Sequence, residues 1–398
     1  MKWEYKTLDQ LGTVSRGKSK HRPRNDPKLF GGKYPFIQTA DVKNADYYIT
    51  KYSDTYNESG LAQSKLWDKG TLCITIAANI ADTGVLAFPA CFPDSIMGFV
   101  PFEGVANTRF IKYCFDRLQR DCKQISQGTA QDNLSWEKLS TIKFCIPEYK
   151  EQCRIADILS AYDDLIENNQ KQIKLLEEAA QRLYKEWFVD LHFPGHENTK
   201  IVDGVPEGWS KSTVSEVSAV LRRGISPKYN EKARGIVINQ KCIRQTIVSY
   251  DEARTQEKKY PAELEMMESD IVICSTGAGT LGRVGQIFEA KENVTLDSHV
   301  TLIRANEKIG QQSLFWSLKM KQDYLMNAGK GSTNQLELSR ETIGSCEILI
   351  PERKIAEQVE KNFVAIHSKM KECSMQIARL REARNLLLPK LMSGEVEV

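Results

Sequence analysis

The chain has 398 residues, of which 41% are hydrophobic and 27% charged, and its formal net charge is +3. This length predicts two or three domains, with enough apolar material for more than one core. The nearly balanced charge permits nucleic acid as a partner but does not by itself indicate it. No run approaches the ~18 apolar residues of a membrane span, and the opening segment MKWEYKTLDQ has no apolar signal-peptide core, so we expect a soluble cytoplasmic protein.

The ten cysteines and five histidines show no spacing typical of a metal site. Most cysteines stand in apolar runs such as LCITI and IVICS, which predicts small, buried, reduced side chains. We therefore expect no metal ion in this chain.

Short β-like runs occupy the first part of the chain. TLCITI, GVLAF and IKFCI are bounded by turn residues, and RFIKYCFDRLQRDC is a candidate helix between them. This mixture predicts an α+β domain over residues 1–147.

A long helix is predicted at residues 148–190. Its apolar positions recur in steps of four and three residues, which is the 3.5-residue period of a coiled coil. A single helix of this length cannot bury such a stripe alone and needs a partner. The predicted seam contains Ile155, Leu159, Tyr162, Ile166, Asn169, Ile173, Leu176 and Leu183.

The same plan recurs after a turn-rich linker at residues 191–208. The runs GIVINQ, DIVICS, HVTLIR and CEILI, with the candidate helix QSLFWSLKMKQDYL, predict a second α+β domain over residues 209–351. A second long helix is predicted at residues 352–398, with Arg384 as the one polar departure from its stripe. Its seam residues are Val359, Phe363, Ile366, Met370, Ile377, Leu380 and Leu387.

Two stretches indicate that the chain is internally duplicated. QGTAQDNLSWEKLSTIKFCIP at 127–147 and GSTNQLELSRETIGSCEILIP at 331–351 share a skeleton at a constant offset, as from Pro147 to Pro351. We predict two tandem α+β domains, each followed by a long helix, with the helices paired as an antiparallel coiled coil of pseudo-twofold symmetry. The alternative is that each helix packs on its own domain.

The most tempting enzyme signal is GAGTLG at 277–282, which matches the glycine pattern of dinucleotide-binding loops. Such a loop must open a helix at its last glycine, whereas RVGQIFEA follows here and reads as the second strand of a hairpin. We find no catalytic constellation and predict no cofactor in this chain.

The repeated loops instead carry small polar and basic side chains suited to DNA phosphates and base edges. The candidate contacts in the first half are Arg16, Lys18, Lys20, Arg22, Arg24, Gln127, Thr129 and Gln131. Those in the second half are Arg222, Arg223, Lys228, Lys241, Arg244, Thr280, Arg283, Lys330, Ser332, Thr333, Asn334 and Gln335.

The order of these features resembles the specificity (S) subunit of type I restriction–modification enzymes. The resemblance covers essentially the whole chain and is carried by the duplicated stretches, VPEGW, STGAGTLGRVG, QIKLLEEAAQRLYKEWF and QIARLREARNLLLPKLMSGE. It implies two target recognition domains that read a bipartite, gapped double-stranded DNA sequence. It also implies that the paired helices act as the spacer, each ~54 Å long by helix geometry.

The resemblance further implies partners. Two methyltransferase (M) subunits would dock on the helices and methylate adenine with S-adenosylmethionine. Two restriction (R) subunits would add ATP- and Mg²⁺-dependent cleavage. The chain itself is expected to be a non-catalytic subunit without a membrane association.

Two other functions stay open on sequence grounds. A coiled-coil scaffold whose domains bind proteins would show no salt-dependent affinity for DNA. An enzyme that uses GAGTLG for a nucleotide would bind a cofactor.

Overall fold

The computed structural model describes residues 3–76, 81–125, 136–277, 279–329 and 336–398. The chain divides into two compact units. Unit 1 comprises Met1–Asn168 with Gln376–Val398, and unit 2 comprises Asn169–Met375. Each unit therefore combines one mixed domain with a part of each long helix. The predicted division into five consecutive segments stays a prediction.

Unit 1 is built on a five-stranded sheet in the order β2-β8-β6-β7-β4, with the pairs β1–β9 and β3–β5 beside it. The strands are β1 (Glu4–Lys6), β2 (Gly12–Arg16), β3 (Phe30–Phe36), β4 (Tyr48–Ile49), β5 (Asp54–Tyr56), β6 (Leu72–Thr75), β7 (Thr83–Leu86), β8 (Ile96–Pro101) and β9 (Phe144–Ile146). The helices are α1 (Leu8–Leu11), α2 (Thr39–Lys43), α3 (Glu58–Ala62), α4 (Thr108–Ile125), α5 (Trp136–Thr141) and the long α6 (Tyr149–Tyr184).

Helix α4 covers one face of this sheet. Its buried Phe110, Ile111 and Phe115 join Leu72, Ile74 and other sheet residues in one core. The helix begins after Asn107, whose Oδ1 accepts the backbone N–H groups of Arg109 and Phe110 at 2.9 and 3.2 Å. This is the usual satisfaction of unpaired donors at a helix start.

Unit 2 contains a four-stranded sheet in the order β13-β19-β16-β17, a three-stranded sheet β15-β14-β18 and the pairs β10–β11 and β12–β20. The strands are β10 (Ile201–Val202), β11 (Val205–Pro206), β12 (Ser210–Thr213), β13 (Ser218–Arg223), β14 (Gly235–Ile238), β15 (Arg254–Gln256), β16 (Ile271–Cys274), β17 (Val284–Gln286), β18 (Val294–Leu296), β19 (Val300–Ala305) and β20 (Glu347–Ile350). The helices are α7 (Gln311–Met320), α8 (Gln322–Asn327), α9 (Arg340–Gly344) and the long α10 (Arg353–Ser393).

The strand pairings repeat from one unit to the other. In unit 1, β6 pairs antiparallel with β7 and β8, and β8 pairs with β2. In unit 2, β16 pairs antiparallel with β17 and β19, and β19 pairs with β13. The pairs β1–β9 and β12–β20 correspond in the same way. The prediction of two tandem α+β domains, each followed by a long helix, is confirmed.

The long helices run antiparallel within each unit. In unit 1, Arg154 on α6 donates to the backbone oxygen of Val398 at 3.0 Å, and Asp163 further along α6 pairs with Arg384. In unit 2, Gln172 lies 3.6 Å from the Sγ of Cys373, while the last turns of α6 share a core with the first turns of α10. Sequence numbers therefore rise along one helix as they fall along the other.

Each predicted seam residue is buried or half-buried. The stripe has two uses, because Ile155 and Leu159 also pack into the domain core of unit 1, and Val359 and Phe363 into that of unit 2. The two alternatives for the helices are thus combined: the first turns of each helix pack on their own domain and beside the partner helix.

The linker predicted at 191–208 is ordered by aromatic packing. A π-helical turn at Lys185–Val189 continues α6, and Leu191 adopts a left-handed conformation with φ 59°. The ring of Trp209 then packs on Phe188 and Phe193, with centroid distances of 5.5 and 4.7 Å.

Among the described residues, no helix has both the length and the hydropathy that a bilayer span requires.

Candidate nucleic-acid interface

The predicted basic segment of unit 1 lies on an exposed loop that leaves the end of β2. Gly17 allows this path, because a Cβ there would stand 2.3 Å from the carbonyl oxygen of Pro93 and 2.4 Å from that of Phe92. The backbone N–H of Lys18 donates to the Phe92 oxygen at 3.0 Å. The loop is therefore held against the segment that precedes β8.

The cations of this loop fall into two groups. Arg24 makes a bidentate ion pair with Asp94 at 2.6 and 2.8 Å, and Arg22 donates to the backbone oxygens of Ser19 and His21. The exposed side chains of Arg16, Lys18 and Lys20 have no partner among the described residues. A phosphate can bind the second group without displacing a carboxylate.

In unit 2 most of the predicted cations are paired with carboxylates. Arg222 pairs with Glu263, Arg223 with Glu337, Lys228 with Glu257 and Arg244 with Glu252. The hydrogen bond from Lys228 raises the pKa of this lysine and lowers that of Glu257. The exposed Lys241 has no side-chain partner in the described part of the chain. Sequence inspection found the cations but not the acidic residues that hold them.

The described residues of the glycine-rich segment, 277 and 279–282, lie in a hairpin turn, as predicted. It joins β16 to β17, whose register pairs Ile273 with Val284. Gly282 (φ 73°) leads into β17, and a Cβ there would stand 2.5 Å from the backbone nitrogen of Met326 in α8. The hydroxyl of Thr280 donates within the turn to the backbone oxygens of Thr276 and Gly277. The half-buried Arg283 directly precedes β17.

Three polar side chains that sequence inspection missed meet at this turn. The Nε2 of Gln240 donates to the backbone oxygen and the Oγ1 of Thr276 at 2.5 and 2.7 Å. The same Oγ1 lies 2.7 Å from the Nδ1 of His299. No periodicity or motif marks these residues, because they come from three segments that only the fold brings together.

Several predicted contacts lie outside the described residues: Gln127, Thr129, Gln131, Lys330, Ser332, Thr333, Asn334 and Gln335. The segment that follows the second group is described. The Leu338 N–H donates to the Ser275 oxygen at 2.8 Å. The backbones of Glu337 and Thr276 form an isolated antiparallel β-bridge. Arg223 also donates to the Leu338 oxygen at 2.9 Å. These contacts hold residues 337–338 beside the hairpin turn.

The described residues contain no group of three or more His, Cys, Asp or Glu side chains placed to hold a metal ion. The described cysteines are free thiols, most of them buried. Burial raises the pKa of the Cys274 thiol to about 12, so this thiol is protonated near neutral pH.

The chain thus has two copies of one α+β unit, each with exposed cations on its loops, which is the modular arrangement of a protein with two similar binding domains. A family model described as type I restriction modification DNA specificity domain matches residues 1–178 and 206–370. The chain belongs to this family, so it is a specificity subunit of a type I restriction–modification system. It is a non-catalytic DNA-recognition protein.

Named relatives agree with this assignment. The chain is 26% identical to the type I restriction enzyme MjaIX specificity subunit of Methanocaldococcus jannaschii, over 100% of this chain and 94% of the relative. It is 24% identical to the HindI specificity subunit of Haemophilus influenzae, over 66% of this chain and 71% of that protein. The S subunit structure from M. genitalium matches with a TM-score of 0.58 at 17% identity, covering 98% of this chain and 96% of that one, which supports the fold.

Proposed function

We propose that the chain reads a bipartite, gapped DNA target, with one half-site read by the domain of each unit. The observation that carries this proposal is the duplication itself: the strand pairings around β6 and β8 recur around β16 and β19. The loops of the two copies differ in sequence, so they suit two different half-sites. The paired helices α6 and α10 would set the spacing between these half-sites.

The same helices would carry docking surfaces for M and R subunits. Several large apolar side chains of α6 and α10 remain exposed, among them Leu165 at 51%, Leu175 at 63% and Leu386 at 64%. Two M subunits with S-adenosylmethionine, and two R subunits with ATP and Mg²⁺, would supply the chemistry. Co-purification of tagged chain with each subunit tests the docking, and failure of both to co-purify would contradict it.

The unpaired cations make the DNA contact testable. Each phosphate contact lowers the slope of log K against log salt by about 0.9 for duplex DNA. We expect the double variant Lys18→Ala/Lys20→Ala to make the salt slope of DNA binding by the assembled complex shallower. The change should equal the loss of about two phosphate contacts, because both lysines are free to bind phosphate. The measurement is fluorescence anisotropy with labelled duplex at several salt concentrations.

Lys228→Ala is the matched control, because Lys228 is already paired with Glu257 at 2.5 Å. We expect it to change the slope less than either Lys18→Ala or Lys20→Ala alone. An unchanged slope in the double variant would remove this loop from the DNA interface. Binding without any salt dependence in the wild type would favour a protein-binding scaffold.

A further inference from the structure

One imidazole in unit 2 is tethered on one side and open on the other. His299 is exposed and directly precedes β19. Its backbone N–H donates to Oδ1 of the buried Asp297 at 2.9 Å, and its Nδ1 lies 2.7 Å from the Oγ1 of Thr276. The Nε2 has no hydrogen-bond partner among the described residues. The ring is therefore fixed by its inner nitrogen and presents its outer one.

The hydrogen bonds around Thr276 assign the proton of this ring. Gln240 Nε2 can only donate, so the Oγ1 of Thr276 accepts from it. The single hydrogen of that hydroxyl is then available to the Nδ1 of His299. An Nδ1 that accepts leaves the proton of the neutral imidazole on Nε2. The network thus holds an N–H donor that points away from the turn.

The surroundings of this donor suit DNA. Lys241 follows Gln240 in the same 3-10 turn and is exposed without a side-chain partner among the described residues. The backbone of Glu337 forms a β-bridge with that of Thr276, and the Glu337 carboxylate is paired with Arg223 at 2.6 Å. Lys241 is thus one residue away from the glutamine that contacts Thr276. A cation that is free to bind phosphate and a fixed donor that can reach a base edge together suit DNA.

We propose that His299 is a specificity-determining residue that donates from Nε2 to a base-edge acceptor in the major groove: a purine N7, a guanine O6 or a thymine O4. Thr276 and Gln240 are positioning residues that hold its ring. This inference rests on the proposed function, because it requires that unit 2 reads one half-site.

Unit 1 has a different residue at the corresponding place. The Ile76 N–H donates to the Ser95 oxygen at 3.1 Å, as the Ser275 N–H donates to the His299 oxygen at 2.8 Å. A hydroxyl thus stands in unit 1 where unit 2 has an imidazole. This difference is what two unlike half-sites require.

The test uses the chain assembled with its M subunits and duplexes in which every base pair of the wild-type target is substituted in turn. We expect His299→Ala to lose discrimination at one position of one half-site, by up to about 150-fold, the upper range for one mismatched base pair in a specific site. The other half-site keeps its discrimination. Lys241→Ala, the control, weakens binding to all duplexes by a similar factor.

Thr276→Val is a second variant that keeps the imidazole and removes its tether. We expect a smaller loss at the same position. Full discrimination in His299→Ala at every position, or an equal loss of affinity for all duplexes, would overturn the role of His299. Absence of discrimination in the wild-type complex would instead overturn the proposed function, so the two failures are distinguishable.

Discussion

The buried pair of Asp163 and Arg384 accounts for the one polar position in the predicted seam of α10. The side chain of Asp163 is 1% exposed, and it accepts from Arg384 and, at 2.5 Å, from the hydroxyl of Tyr113. Burial raises the pKa of the Asp163 carboxyl, and the charge of Arg384 partly offsets this rise. The arginine is therefore needed where it stands, although an apolar residue would fit the stripe.

We expect Arg384→Met to destabilise the chain by about 3 kcal/mol, because removal of one partner leaves an uncompensated buried charge. Arg381→Met is the matched control one turn earlier. Its partner Asp46 lies at 2.8 Å, but both side chains are about half exposed, so the loss should stay within about 1 kcal/mol. Chemical unfolding followed by circular dichroism compares them, and equal losses would contradict a special role for the buried pair.

The same pair predicts a pH dependence. Because the folded pKa of Asp163 lies above its unfolded value, its unfavourable contribution is absent below the ordinary value of 3.8, grows as the pH rises from that value to the folded pKa, and is constant above it. Arg384→Met should raise that pKa further. The difference in unfolding free energy between wild type and Arg384→Met should therefore narrow as the pH falls from neutral towards 3.8. A difference that widens as the pH falls would contradict this prediction.

Gly224 shows a second requirement at the scale of one residue. A Cβ there would stand 2.2 Å from the carbonyl oxygen of Leu296 and 2.3 Å from that of Asp297. We expect Gly224→Ala to cost about 3 kcal/mol or more, since the neighbouring backbone must move. Gly279→Ala, where nothing lies within 4 Å but φ is 75°, should cost about 1 kcal/mol. Calorimetry of both variants measures the two losses of stability. A larger loss for Gly279→Ala than for Gly224→Ala would contradict this prediction.

At the scale of elements, the helices were the most predictable part of the fold. A 3.5-residue period is a local signal that repeats over many turns, so it locates α6 and α10 to within a few residues. Leu175 at 63% exposure and the half-buried Leu176 show that the stripe is in the correct phase. The helix partner of Arg384 was not predictable, because Asp163 lies beside the stripe and its place depends on the register between two helices.

These adjacent leucines give a matched pair for testing the seam. We expect Leu176→Asp to destabilise the chain by about 2 kcal/mol or more and to reduce assembly with M subunits, because a charge enters the helix pair. Leu175→Asp places the same charge in solvent and should leave the thermal midpoint within a few degrees. Similar midpoints for the two variants would show that the stripe is assigned to the wrong face. Leu380→Asp makes the same test on α10.

The candidate interface was less predictable than the elements, for a physical reason. Exposed cations can be found in a sequence, but their acidic partners lie far along the chain, as Glu263 does from Arg222 and Glu337 from Arg223. His299 gave no signal either, since a single histidine has no spacing to interpret. The constant offset of the duplicated stretches also hides insertions. The N–H of Gly17 donates to the Ile96 oxygen and that of Gly224 to the Val300 oxygen, so the two glycines correspond. They nevertheless lie farther apart in the sequence than Ile96 and Val300 do.

At the scale of the whole molecule, duplication and family membership lead to the same account. Each unit carries its own sheet, its own polar loops and a part of both helices. A chain that reads DNA twice with two different loop sets should specify a target whose halves are unlike. This expectation concerns the product of the assembled enzyme, so it can be examined in cells.

The most direct measurement is methylome sequencing of cells that contain this chain with its M subunit, compared with cells that lack only this chain. The account predicts an adenine-methylation motif of two unlike blocks separated by a fixed gap, present only with the chain, and a change in one block alone for His299→Ala. A continuous motif, or no motif although the complex is assembled, would contradict it.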